Sequence, residues 1–196
     1  MTDIVLDLEN YIYEGDELNI FSFPSPILKK IAQPVVNFDN QLKMLVKNML
    51  FTMYSAPGIG LAAPQVGISE RLFVMDIDFE REDVASSDEN PKIRLSNFKP
   101  MVFINPVLTN PEGEIVHEEG CLSVPGIYED VKRAEKINIK YQDLDGKTHS
   151  MEAREMLAIC LQHENDHLDG ILFLERLSLI KKNLLTKKYL KKKKRG

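Results

Sequence analysis

Residues 162–170 read Gln-His-Glu-Asn-Asp-His-Leu-Asp-Gly, and this short run constrains the chain more than any other. If this run is helical, His163 and His167 stand one turn apart on the same face. So placed, His163 and His167 can grip one metal ion, and Glu164 between them can handle the proton of an attacking water. The H-E-x-x-H pattern therefore predicts a metal-bearing helix and the hydrolysis of an amide-like bond by a metal-activated water.

One large group of zinc proteases extends the pattern as H-E-x-x-H-x-x-G-x-x-H. This chain keeps the glycine, Gly170, but has Phe173 where the third histidine would stand. A catalytic metal with an open coordination position takes three protein ligands, so the third must come from elsewhere in the chain. The best remaining candidate is Cys121, in a segment bracketed by Gly120 and Pro125 that is expected to turn or run extended. The other thiol, Cys160, lies one helical turn before His163 in a largely apolar stretch and reads as core.

A length of 196 residues with 43% hydrophobic content suits one compact domain. Two cysteines, each explicable without a bridge, give no disulfide framework, and a reducing compartment would favour Cys121 as a thiolate. No segment approaches the roughly 18 consecutive apolar residues of a membrane span. Asp3, Asp7, Glu9 and Glu14 are unlike a secretory or transit signal, so the expected location is the cytoplasm. The net charge of −5 conceals an uneven distribution: residues 181–196 carry eight lysines and Arg195 with no acidic residue, which leaves −14 for residues 1–180. Leu177, Ile180, Leu184, Leu185 and Tyr189 recur there at near-helical spacing, predicting a helix that docks by one face and turns its lysines outward.

The chain divides into an acidic N-terminal extension at 1–19, a metallohydrolase domain at 20–180 and a basic C-terminal helix or tail at 181–196. In the extension, Ile4, Val5, Leu8 and Ile12 can pack against the body. Asn37-Phe38-Asp39 precedes a helix whose buried stripe is Leu42, Leu45, Met49 and Met53, ending near Pro57-Gly58. Segments 71–77, 101–104 and 136–141 have strand character, and Asp145-Gly146 predicts a hairpin turn into 149–153. Charged residues, Ser, Asn and Pro dominate 78–100, which reads as a long surface excursion between two strands. The predicted fold class is α+β, with antiparallel or mixed strands wrapped around a central metal-bearing helix, and a C-terminal helix.

A further cluster, Gly-Ile-Gly-Leu-Ala-Ala-Pro-Gln-Val-Gly at 58–67, is rich in small residues that let backbone pass close to a ligand or another strand. Gln65 within it could donate a side-chain N–H to a developing oxyanion, and a hydrogen-bonded structural glutamine would explain the residue about as well. In order and wording, the segments 58–67, 119–123 and 162–167 resemble the three signature motifs of the peptide deformylase family. The second motif and the basic C-terminal helix are similar to its bacterial type I branch. The resemblance runs from about Ile20 into the C-terminal helix.

That resemblance implies an enzyme that removes the formyl group from the initiator methionine of new polypeptides and releases formate. It implies one divalent metal ion, Fe²⁺ physiologically, with Zn²⁺, Ni²⁺ or Co²⁺ replacing it in preparations. Its metal ligands would be Cys121, His163 and His167. Glu164 would carry the proton, and Gln65 with the backbone N–H of Leu122 would hold the oxyanion. Ile59, Gly60, Glu119, Met156, Ile159, Cys160 and His163 would border the slot for the methionine side chain. His117 stands where related enzymes commonly carry an aliphatic residue. Glu119 has a second reading, a tie between neighbouring loops through Arg133. The implied partners are nascent formylated polypeptides and the ribosome near its tunnel exit, reached through the basic C-terminal helix; neither membrane nor DNA is expected.

Overall fold

The computed structural model describes residue 4 and residues 6–84 and 92–194. Its elements in chain order are α1 (Asn40–Ser55), β1 (Gly60–Ala62), β2 (Leu72–Met75), β3 (Glu80–Val84), β4 (Lys92–Ser96), β5 (Met101–Glu112), β6 (Ile115–Glu119), β7 (Glu129–Arg133), β8 (Lys136–Gln142), β9 (Thr148–Arg154), α2 (Glu155–Leu168) and α3 (Leu179–Lys193). The architecture is α+β. An antiparallel sheet in the order β1-β2-β5-β8-β9 packs on α2, and β3–β4 and β6–β7 form two separate antiparallel pairs.

Helix α1 starts where its cap dictates. The Asp39 side chain accepts the N–H groups of Gln41 and Leu42, satisfying two donors that the first turn leaves open, a contribution of about 1 kcal/mol. Leu42, Met49 and Met53 are buried as expected, joined by Val46 and Leu50, while Leu45 is half-buried at the edge of the same cluster. The helix ends at Ser55, just before Pro57, which cannot continue it.

Strand β5 runs well past the expected 101–104. Its register against β8 shifts between Ile104 and Val107 and again between Thr109 and Glu112. Each interruption contains a proline, Pro106 or Pro111, which has no N–H to give the ladder, preceded by an asparagine of positive φ, Asn105 or Asn110. Proline reads as a strand stop in sequence, but here it marks a bulge within a longer strand. The expected excursion at 78–100 leaves the main sheet but is not irregular, because β3 and β4 pair across it. Their polar sequence hid them; the tip, 85–91, lies outside the described residues.

The N-terminal segment packs on α1. Tyr11 is buried, the Tyr13 ring stacks on Phe51 at 4.8 Å, and Leu18 N–H donates to Thr52 Oγ1 at 2.8 Å. Leu8 joins this cluster, whereas Ile12 is 70% exposed, contrary to expectation; Val5 lies outside the described residues. At the other end, α3 is capped by Ser178 and seats Leu185 and Tyr189 among Val124, Ile127, Val131 and Phe173, with Leu177 at the margin. Ile180 and Leu184, expected in the docking stripe, are 82% and 66% exposed. They miss the contact face because the true stripe is the i, i+4 pair Leu185 and Tyr189. Arg195 lies outside the described residues. Among the described residues, no helix is long and apolar enough to cross a membrane.

Candidate metal centre

Helix α2 is anchored by the buried run Ala158, Ile159, Cys160 and Leu161. Its rotation is set by Gln162, whose amide accepts from Ala134 N–H at 3.0 Å and donates to Ala134 carbonyl at 2.8 Å. That orientation turns His163 and His167 toward the loop between β6 and β7, where Cys121 sits. The cysteine sulfur and one ring nitrogen of each histidine lie within 4.8 Å of one another. Cys121 Sγ is 3.3 Å from His167 Nε2. One thiol and two imidazoles converging at this spacing can hold a metal ion, which fits the donor set predicted for it.

Behind the cluster is a line of buried charge. His163 Nδ1 meets Glu119 Oε2 at 2.8 Å, so its other nitrogen is left for the cluster. Arg133 grips Glu119 through Nε at 2.7 Å and a terminal nitrogen at 2.9 Å, and reaches Asp166 at 2.6 Å; Arg176 closes on Asp166 from outside. Burial alone would raise the Glu119 carboxyl, but the Arg133 guanidinium and His163 outweigh it and hold it at about 2. A carboxylate fixed on a ligand imidazole sets the ring's orientation and basicity. Of the two readings of Glu119, the loop tie through Arg133 is the one its hydrogen bonds express. Burial, reinforced by the charge on His163, pushes His167 well below the ordinary imidazole range.

Glu164 faces the same space from beneath. Burial pushes its carboxyl up to about 7, and its Oε2 is buried with no hydrogen-bond partner among the described residues, as is His167 Nδ1. Gly60 explains why β1 carries no side chain here: a Cβ at that position would lie 2.7 Å from the Glu164 carboxyl carbon. Gln65 Oε1 accepts the Ala62 N–H at 2.8 Å, which turns Nε2 toward Ser123 Oγ at 3.2 Å and Cys121 Sγ at 3.6 Å. The Leu122 backbone N–H has no acceptor among the described residues.

Gln65, Cys121, Leu122, His163 and Glu164 line one cavity of about 460 Å³. Every residue expected from sequence at the slot lines it: Ile59, Gly60, Glu119, Met156, Ile159 and Cys160, together with His163. Cys160 is buried, its thiol pushed up to about 12 by that burial and directed at Met156 Sδ, 3.8 Å away. Sequence reasoning missed Tyr128, whose ring lies so close over Gly120 that a Cβ there would come within 2.5 Å of it. It also missed Asp166 and Arg176. The available signal for Asp166 was its place inside the H-E-x-x-H run, where a second carboxylate needs a buried cation.

Fold and cluster together are those of a metallohydrolase whose candidate donor set holds a cysteine in place of a third histidine. The model of the family described as Polypeptide deformylase matches residues 17–183. A peptide deformylase of Novosphingobium aromaticivorans is 47% identical over 175 residues, 86% of this chain and 93% of its own. One of Chromobacterium violaceum is 47% identical over 179 residues, 91% and 98% of the two chains. The crystal structure of a peptide deformylase from Legionella pneumophila matches with a TM-score of 0.77 at 41% identity, covering 91% of this chain and 96% of that one. A Synechococcus elongatus peptide deformylase in complex with actinonin matches with a TM-score of 0.79 at 32% identity, over 96% and 94%. The chain belongs to the polypeptide deformylase family.

Proposed function

We propose that this enzyme removes the N-formyl group from the initiator methionine of new polypeptides with Cys121, His163 and His167 as metal ligands, Glu164 as proton carrier, and Gln65 and Leu122 as oxyanion donors. The observation that carries the assignment is convergence: segments near 60, 120 and 165, remote in sequence, meet at one cavity. We take the ion to be Fe²⁺, with Ni²⁺, Co²⁺ or Zn²⁺ able to replace it. Held by these ligands, it supplies Lewis acidity toward water and the formyl oxygen.

The protein's own groups do the rest. Glu164, buried and with no partner at Oε2 among the described residues, takes a proton from the attacking water and returns it to the departing amine nitrogen as the C–N bond breaks. Gln65, its oxygen tied to Ala62, is locked with Nε2 forward, and the Leu122 N–H supplies a second donor to the oxygen that gains charge. Met156 and Ile159 line an apolar wall suited to an unbranched thioether side chain. We read residues 20–180 as the hydrolase domain, acting in the cytoplasm. We take the ribosome near its tunnel exit to be a partner, met by the lysines of α3 through phosphate contacts.

The test is formate release from formyl-Met-Ala-Ser by anaerobically purified protein of measured metal content. Cleavage of internal peptide bonds without formate, or no turnover at full metal occupancy, overturns the assignment.

A further inference from the structure

Three polar side chains of the cavity wall, His117, Glu118 and Tyr128, are not used by the mechanism; Tyr128 is 64% exposed and Glu118 lies on the outward face of β6. Burial along β6 alternates, with Ile115, His117 and Glu119 more buried than Val116 and Glu118, so His117 shares the inward face of Glu119. It lines the cavity with Met156, Ile159 and Cys160. Several other polar groups around that space are engaged. Glu119 is held by Arg133 and His163, Gln65 by Ala62 and Ser123, and the Cys160 thiol points at Met156. The His117 imidazole has no hydrogen bond or ion pair among the described residues. Beside Met156, Ile159 and Cys160 the wall therefore carries an uncommitted imidazole N–H donor.

We infer that His117 is a specificity-determining residue that lets the slot accept a formylated N-terminal residue of methionine's length bearing a hydrogen-bond acceptor, namely methionine sulfoxide, alongside methionine itself. A thioether asks little of its surroundings. A sulfoxide oxygen is a strong acceptor, and burying it in a slot without a donor leaves it unpaired, at a cost of about five- to 150-fold in binding. The imidazole N–H removes that penalty, so oxidised initiator residues are still deformylated. The reaction is unchanged: water adds to the formyl carbon, the C–N bond breaks, and formate and a free amine leave, with the sulfoxide untouched.

The inference rests on the deformylase reading, and the experiment separates the two. The kcat/KM values for formyl-Met-Ala-Ser and for the same peptide with methionine sulfoxide are measured on wild type, His117→Leu and His117→Asn, all loaded with nickel. The quantity read is the ratio of sulfoxide to thioether peptide within each preparation, which cancels any difference in folded or loaded fraction. The ratio is expected to fall at least fivefold in His117→Leu and to recover in part in His117→Asn, whose amide restores a donor. A smaller fall overturns the role of His117. Inactivity of loaded wild type on both peptides overturns the deformylase reading instead.

Discussion

Helices α2 and α3 are almost equal in length, 14 and 15 residues, and they answer to different constraints. On α2 a side chain at nearly every position has a fixed task. Buried apolar residues anchor it, Gln162 sets its rotation, His163, Asp166 and His167 are engaged with loop and strand partners, and Glu164 faces the cavity. On α3 only Leu185 and Tyr189 are buried, and most lysines face outward. Yet the two helices meet through one element. The cluster seating Leu185 and Tyr189 includes Val124 and Ile127 of the loop that carries Cys121, and Cys121 itself packs against its edge. Lys181 pairs with Glu129 at 2.9 Å at the end of that loop, and Lys193 donates to Ser22 Oγ at 2.7 Å and Phe23 carbonyl at 2.9 Å. The basic C-terminal helix thus also supports the loop that carries Cys121, and cutting it off would test two roles at once.

Point substitutions separate those roles, and the largest effect belongs to α2. Glu164→Ala should keep its metal and lose about 10²- to 10⁴-fold in turnover, the range for removing a general base. Metal content and rate measured on one sample check it, and retention of more than a tenth of the rate removes the proton-carrying role. Cys121→Ala should fail at the preceding step, losing metal on dialysis against a chelator; full occupancy afterwards would take Cys121 out of the ligand set. Gly60→Ala forces a Cβ against the Glu164 carboxylate and should lower kcat about 10²-fold through misplacement, with metal retained. Wild-type kcat in that variant would show that Glu164 need not sit where it does.

The α3 side of the comparison should show in stability and binding. Tyr189→Ala removes a buried ring and should destabilise by about 3 kcal/mol, lowering the thermal midpoint by about 6–12 °C. It should also speed metal loss, because the Cys121 loop rests on the same cluster; unchanged metal retention would separate the two helices after all. The smallest effect on the fold should come from replacing Lys187, Lys188, Lys191 and Lys194, exposed and without ion pairs among the described residues, by glutamine. Midpoint and tripeptide turnover should hold, while ribosome co-sedimentation at low salt weakens. Equal co-sedimentation by both proteins refutes docking through these lysines.

The candidate metal-binding trio and Glu164 could be picked out in the sequence because each answers to a local pattern. Two histidines at i and i+4 of a helix stand one turn apart on one face, and a glycine-bracketed cysteine can present a thiol from a turn. The stripe of α1, its Asp39 cap and the β8–β9 hairpin follow from equally local rules. What only the tertiary structure decided was which distant groups meet. The sequence offered a Glu119–Arg133 tie only as one of two readings of Glu119, and no spacing announces that Asp166 on α2 and Arg176 after it join Glu119 on β6 and Arg133 on β7 in one line of charge behind His163, because each bond in it crosses between elements. The same holds for Ile180 and Leu184, whose exposure was settled by the partner surface that α3 found. It holds also for β5, whose prolines stop a strand by local rule and bulge it when a neighbouring strand supplies the rest of the ladder. Local patterns are enforced by geometry within a few residues; burial and pairing depend on free energies that exist only once the rest of the chain has arrived.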